Sequence, residues 1–187
     1  MSNLVDRYLL FRIRTKRDPE AFAKIYDRYV KALYRFNLLK LPSKEDAQDA
    51  TAETFTKAWN YLLQHEEVTH VRALLYQIAR NLIADFYRNR PEARGASIVA
   101  VTSLDGSTSH LDVEEFDDHG HERDVIVART ELALILKQLE KLKEDYRDVV
   151  TLRLVDGLAF SDIAAILDKK TGHVRVIYHR AIKTLNT

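Results

Sequence analysis

The chain has 187 residues, with 29 Lys and Arg against 28 Asp and Glu, so it has room for one domain or two small ones and a net charge of only +1. The absence of cysteine excludes disulfides and thiolate metal sites. Hydrophobic content of 46% with 5 Gly and 3 Pro points to an all-α fold, and no apolar leader or membrane-length run stands out, so a cytoplasmic protein without membrane insertion is expected.

The first start signal is Asp18-Pro19-Glu20: Asp accepts from free backbone amides, Pro fits the first turn, and Glu suits the positive end of a helix. Phe22, Ile25, Tyr29, Leu33 and Phe36 then recur at helical spacing as a buried face. Pro42-Ser43 opens a second helix, in which Ala47, Thr51, Phe55, Ala58, Trp59 and Leu62 share one side. Asp49, Glu53 and Lys57 are left as an exposed row. That row is either a surface ion-pair ladder, at about 0.2–0.5 kcal/mol per pair, or a face that docks a partner.

The third helix is expected over Val71 to Arg90, with Leu75, Ile78, Leu82 and Phe86 inward. Arg72, Tyr76, Arg80 and Tyr87 form an outward row, with Asn81 and Arg88 beside it. Guanidinium groups that neutralise phosphates, interleaved with rings that stack on bases, suit an unpaired nucleic-acid strand. A solvated basic helix whose tyrosines merely cover the core fits the same composition.

From Ser103 to Asp124, eight acids face a single strong base, Arg123, in a stretch rich in Ser, Thr, Gly and His and without helical periodicity. This predicts an acidic flexible linker between two small helical domains, and the charge balance conceals two basic blocks on either side of it. His110, His119 and His121 lie among these carboxylates, but metal coordination needs a rigid constellation, and neither a metal nor another cofactor is expected.

Phe160 to Asn186 reads as helix, tight turn and helix. Ile163, Ile166 and Leu167 face Val174, Ile177, Ala181 and Leu185 across a turn at Asp168, a residue that tolerates the left-handed conformation. The last helix carries Lys170, Thr171, His173, Arg175, His179, Arg180 and Lys183. In a helix-turn-helix its N-terminal residues, His173 and Arg175, face base edges, and the later ones face phosphates. A basic helix in an ordinary helical hairpin is the plainer alternative.

Two segments carry a resemblance. DAQDATAETFTKAW, Asp46 to Trp59, resembles the D-A-E-D-x-x-Q-E-x-F-x-x-A-W segment of extracytoplasmic-function sigma factors, and LLYQIARNLIADFYR resembles their W-L-x-x-I-A-R-N-x-x-x-D-x-x-R segment. The likeness continues through LEKLKEDYRDVVTLRLVDGLAFSDIAAIL and the final helix. It implies that residues 1–95 form the region that binds core RNA polymerase and opens the minus-ten element. Residues 96–128 would be the linker, and residues 129–187 the helix-turn-helix region that reads the minus-thirty-five element. Asp46, Asp49, Glu53 and Lys57 would contact polymerase, and Arg80, Asn81, Asp85 and Arg88 would melt the promoter, joined by Arg72, Tyr76 and Tyr87. The loop from Gln64 to His70 corresponds to a stretch that captures a flipped base, through His65, Glu66, Glu67, Thr69 or His70. The implied partners are core RNA polymerase, promoter DNA and an anti-sigma factor, and no catalytic residue is expected. A stand-alone helix-turn-helix regulator is the alternative.

The chain departs from the family pattern at several points: Gln48 and Ala52 stand for the usual Glu and Gln, and Leu74 for Trp. Ala159 replaces a Ser or Thr cap, at about 0.5–2 kcal/mol unless the helix start moves to Ser161. Lys170 replaces another cap, with Thr171 as substitute, and Ile177 stands where Arg is common.

Overall fold

Two helix starts, those behind Asp18 and Ser43, are fixed by side chains that satisfy orphan amides. In the computed structural model, which describes residues 4–65, 67–93, 138–139 and 142–185, Asp18 Oδ1 accepts from the amides of Glu20 and Ala21 at 3.0 and 3.2 Å, and Pro19 takes the first helical position. This begins α2, Pro19–Leu38. Arg12 Nε donates to the other oxygen of Asp18 at 2.7 Å, tying the cap to α1, Leu4–Lys16. Ser43 Oγ accepts from the Asp46 amide at 3.0 Å and opens α3, Lys44–Gln64. α4 spans Val71–Asn89, followed by a single 3-10 turn, Pro91–Ala93.

The four helices pack around Leu10, Ile13, Ile25, Leu33, Phe36, Leu62 and Leu75. Burying each such apolar side chain contributes about 1.5–3 kcal/mol. Two polar side chains inside this core bond to each other and to the backbone: Asn37 Nδ2 donates to Thr51 Oγ1 at 2.9 Å, and the Thr51 hydroxyl donates to the Ala47 carbonyl at 2.7 Å. The Tyr29 hydroxyl donates to buried Asp6 at 2.6 Å, and burial together with that bond pushes the Tyr29 phenol up to about 12. α1 is an element that the periodicity and start signals did not reveal.

The C-terminal helices are α5, Glu144–Leu154, α6, Phe160–Leu167, and α7, Thr171–Leu185. α6 starts at Phe160 behind Ala159, which gives no side-chain cap bond, so the start does not shift to Ser161. It ends at Asp168 in the left-handed region, φ 51° and ψ 49°, and the Lys169 amide closes the turn on the Ala164 carbonyl at 2.9 Å. Val149, Leu152, Ile163, Ile166, Val174 and Ile177 are buried. They belong to the same apolar cluster as the α1–α4 core, because α6 lies directly against α4. No strand occurs among the described residues. The acidic linker and its three histidines fall outside them.

Candidate nucleic-acid interface

α7 presents an open basic surface. Its buried stripe, Val174, Ile177 and Ala181, seats it on α5 and α6, which turns Lys170, His173, Arg175, His179, Arg180 and Lys183 to solvent, with Thr171 half-buried at the helix start. Phe160 clasps the two helices: its ring meets Tyr178 edge-on at 5.4 Å, and the Arg175 guanidinium stands 5.9 Å from its centroid. Arg175 is thereby steadied near the N-terminal end of α7 while its donors stay exposed, as a helix that enters a major groove requires.

On α3, Asp49, Glu53 and Lys57 form the exposed row expected from the spacing, with Lys57 Nζ 2.9 Å from Glu53. Asp46 is half-buried, taking a 2.6 Å bond from the Ser43 hydroxyl and lying 3.4 Å from Arg90. At the end of this helix His65 lies flat on Tyr61, rings 3.8 Å apart and 6° from parallel, with His65 Nδ1 3.0 Å from the Tyr61 carbonyl oxygen. Arg14 of α1 donates to the Val68 carbonyl and ties the loop back to the N-terminal helix.

α4 requires a correction. Tyr76 does not belong to an outward row: it is 2% exposed, packs edge-on against Phe36 at 5.1 Å, and donates its hydroxyl to Asp156 at 3.0 Å. Burial first, and then the Asp156 charge, push its phenol well up from the ordinary value. Nor are Arg72 and Arg80 a free outward row, although the Arg72 side chain keeps 36% of its surface exposed. Arg72 Nη1 reaches Asp162 at 3.2 Å, and Arg80 reaches Asp148 through Nε at 2.7 Å and Asp145 through Nη2 at 3.4 Å. The cause is α6, which covers that side of α4, and the buried stripe rotates to Leu75, Tyr76, Ala79 and Ile83, leaving Ile78, Leu82 and Phe86 only partly buried. Asn81 and Arg88 remain exposed, Asp85 pairs with Arg88 at 2.6 Å, and the Tyr87 hydroxyl donates to the Lys40 carbonyl at 2.5 Å.

Two cations absent from the sequence reading join this contact. Lys40 pairs with Asp148, and Arg35 Nη2 lies 3.0 Å from Asp156. Burial pushes the Asp156 carboxyl up from its ordinary value, while Arg35 and the Tyr76 hydroxyl hold it back. A charge embedded in an apolar run, such as Lys40 in LLKLP or Asp148 in DVV, is the sequence signal of such buried pairs.

An all-helical chain whose terminal basic helix stands outward behind a left-handed turn is a helix-turn-helix DNA-binding protein in its fold and surface. Residues 25–91 match the model of sigma-70 region 2, and residues 132–185 that of sigma-70, region 4. The extracytoplasmic-function sigma factor SigW of Bacillus subtilis is 29% identical over 171 residues, covering 91% of this chain and 89% of its own. The sigma-E factor of Escherichia coli K12 is 27% identical over 186 residues, 98% of this chain and 93% of that one. BldN of Streptomyces coelicolor is 27% identical over 172 residues, of which this chain spans 60% of BldN's length. In fold, the chain resembles CnrH in complex with the cytosolic domain of CnrY, with a TM-score of 0.67 and 24% identity over 97% of this chain and 95% of that one. It also resembles RpoE in complex with the anti-sigma factor NepR from Bartonella quintana, with a TM-score of 0.59 and 24% identity over 88% and 93%. The chain belongs to the sigma-70 family, as an RNA polymerase sigma factor of the extracytoplasmic-function type. It serves promoter-specific transcription initiation.

Proposed function

We propose that three surfaces divide the work of initiation. The exposed row of α3, Asp49 and Glu53 with Asp46 and Lys57, docks on core RNA polymerase. The α4 face, with Arg72, Arg80, Asn81, Asp85, Tyr87 and Arg88, holds the melted minus-ten strand. α7, through His173 and Arg175 at its N-terminal end and Lys170, Thr171, His179, Arg180 and Lys183 around them, reads the minus-thirty-five duplex. Tyr76 has no part in strand binding, because it serves the core. Residues 1–95 and 129–187 act as the two functional units, joined by residues 96–128. Bond-making chemistry belongs to the polymerase, with which the chain works in the cytoplasm. By analogy with the sigma factors solved with regulatory partners, an anti-sigma factor restrains it.

The observation that carries this reading is that an exposed acidic face on α3 and an exposed basic recognition helix on α7 lie in one chain, inside the matched region 2 and region 4 segments respectively. The test is transcription in vitro from a pool of genomic fragments by core polymerase with and without the chain. New, promoter-specific transcripts that appear only with the chain support it. Changing Asp49 and Glu53 together to Lys is expected to weaken core binding while leaving stability within about 1 kcal/mol, as for other surface sites. Unchanged core affinity in that variant removes the α3 assignment.

A further inference from the structure

The outer face of α1 carries an apolar row that the fold leaves unused. We propose that this face docks an acidic amphipathic helix of another protein, laid along Leu4, Tyr8 and Phe11 with its carboxylates against Arg7 and Arg14. The face is separate from the surfaces assigned on α3, α4 and α7 and does not depend on how those three share the work of initiation.

Three observations carry it. First, α1 already buries one stripe, Asp6, Leu9, Leu10 and Ile13, against the core. Leu4, Tyr8 and Phe11 lie on the opposite side and remain 78%, 60% and 60% exposed. Single exposed apolar residues are ordinary on a protein surface, but a contiguous row of them marks an interaction site. Second, the row is spaced to meet a helix. Steps of four and three residues, from Leu4 to Tyr8 to Phe11, continue by four to Thr15, which is the repeat of a seam between two helices. The Thr15 hydroxyl already donates to the Phe11 carbonyl at 2.8 Å, so it needs no polar partner at the seam. Third, one edge of the seam is positive and unpaired. Arg7 and Arg14 wall a groove of about 520 Å³ together with Leu10, Phe11, Val68 and Thr69. Arg14 donates to the Val68 carbonyl, yet its buried Nε has no partner, and neither guanidinium meets a carboxylate among the described residues. Arg12, on the other edge, is held by Asp18 and Glu20, and the acid of α1, Asp6, is buried on the core side. A second copy of this helix would set cation against cation, whereas Glu or Asp on the flank of a partner helix pairs with both arginines. A nucleic-acid strand would find cations here but, at Leu4, no ring on which to stack a base.

The experiment uses the whole chain and two labelled synthetic peptides of about four heptads, both with Leu at a and d, one with Glu and the other with Lys at e and g. Binding is read by fluorescence anisotropy. The acidic peptide is expected to bind about tenfold or more tightly than the basic one, and to weaken as salt is raised. Tyr8→Ser with Phe11→Ser should lower that affinity about tenfold or more, with the melting temperature unchanged because both side chains are exposed. Arg7→Glu with Arg14→Glu should invert the preference between the peptides. Arg7→Glu alone, which leaves the bond from Arg14 to Val68 in place, should shift it in the same direction. Equal affinity for the two peptides, no binding of either, or binding untouched by the Tyr8 and Phe11 changes overturns the proposal. Two further results do the same. A dimer seen by sedimentation that those changes dissolve gives the face to a second copy, and binding of a random-sequence single strand that they abolish gives it to nucleic acid.

Discussion

Replacing Asp148 by Ala tests the energetics of the contact between the two helical sets. Its two oxygens hold Lys40 and Arg80, and neither Asp148 nor the Lys40 side chain, 8% exposed, has access to bulk water. Removing one partner of a buried pair leaves an uncompensated charge and costs about 3–5 kcal/mol, nearly all of it here from Lys40. Arg80 adds about 1 kcal/mol or less, because its guanidinium can turn to solvent. The protein has a way to avoid the full cost: if α5–α7 leave α4, Lys40 becomes hydrated. The loss should therefore appear as uncoupling rather than general unfolding. Urea titration distinguishes the two, with Trp59, seated against Phe22 at 5.0 Å, reporting the α1–α4 core and far-ultraviolet circular dichroism reporting all helices. The two transitions should coincide in the wild type. In Asp148→Ala the dichroism change should begin at lower urea than the Trp59 change, and Lys40→Met/Asp148→Leu should recover most of the loss. Coincident transitions displaced by less than about 1 kcal/mol, or a double variant no better than the single one, would refute the reasoning.

Asp168→Val places a β-branched residue at φ 51° and should cost about 1–2 kcal/mol, read as a lower melting temperature, whereas Asp168→Gly should not destabilise. Asp18→Ala removes the oxygen that accepts from two backbone amides, together with the Arg12 contact, for an expected loss of about 0.5–2 kcal/mol by thermal denaturation. Arg175→Ala should relax base preference at one position of the upstream element by about 1–3 kcal/mol, measured by selection from randomised promoters, with no change in thermal stability beyond that of other exposed sites.

Features set by neighbouring residues could be read directly from the sequence. The caps at Asp18 and Ser43, the buried stripes of α2 and α3, the exposed Asp49-Glu53-Lys57 row and the left-handed Asp168 all follow from spacing and local backbone chemistry. α1 escaped because Leu4, Tyr8 and Phe11 stay exposed on its outer side, so apolar residues ring the helix and blur the stripe. Tyr76 escaped for a different reason. Periodicity assigns a side to each residue but not what lies against that side, and the acceptor of its hydroxyl is 80 residues away. The same holds for Arg80, whose carboxylate partners lie on α5; a basic row waiting for phosphate and one already held by carboxylates have the same sequence.

The belt of Arg35, Lys40, Arg72 and Arg80 against Asp145, Asp148, Asp156 and Asp162 also sets how the protein should respond to ionic strength. Ordinarily each cation that lands on a single strand displaces a condensed counterion and steepens the fall of affinity with salt, by about 0.7 in logarithmic slope. Here Arg72 and Arg80 are first pulled from carboxylates, and added salt weakens that internal hold as it weakens the new one. The two dependences oppose each other at α4 and have no counterpart at the open face of α7. Moving from dilute to concentrated electrolyte should thus shift the balance of binding from duplex toward unpaired strand, although the nucleic acid's own charge is lower in the single-stranded form.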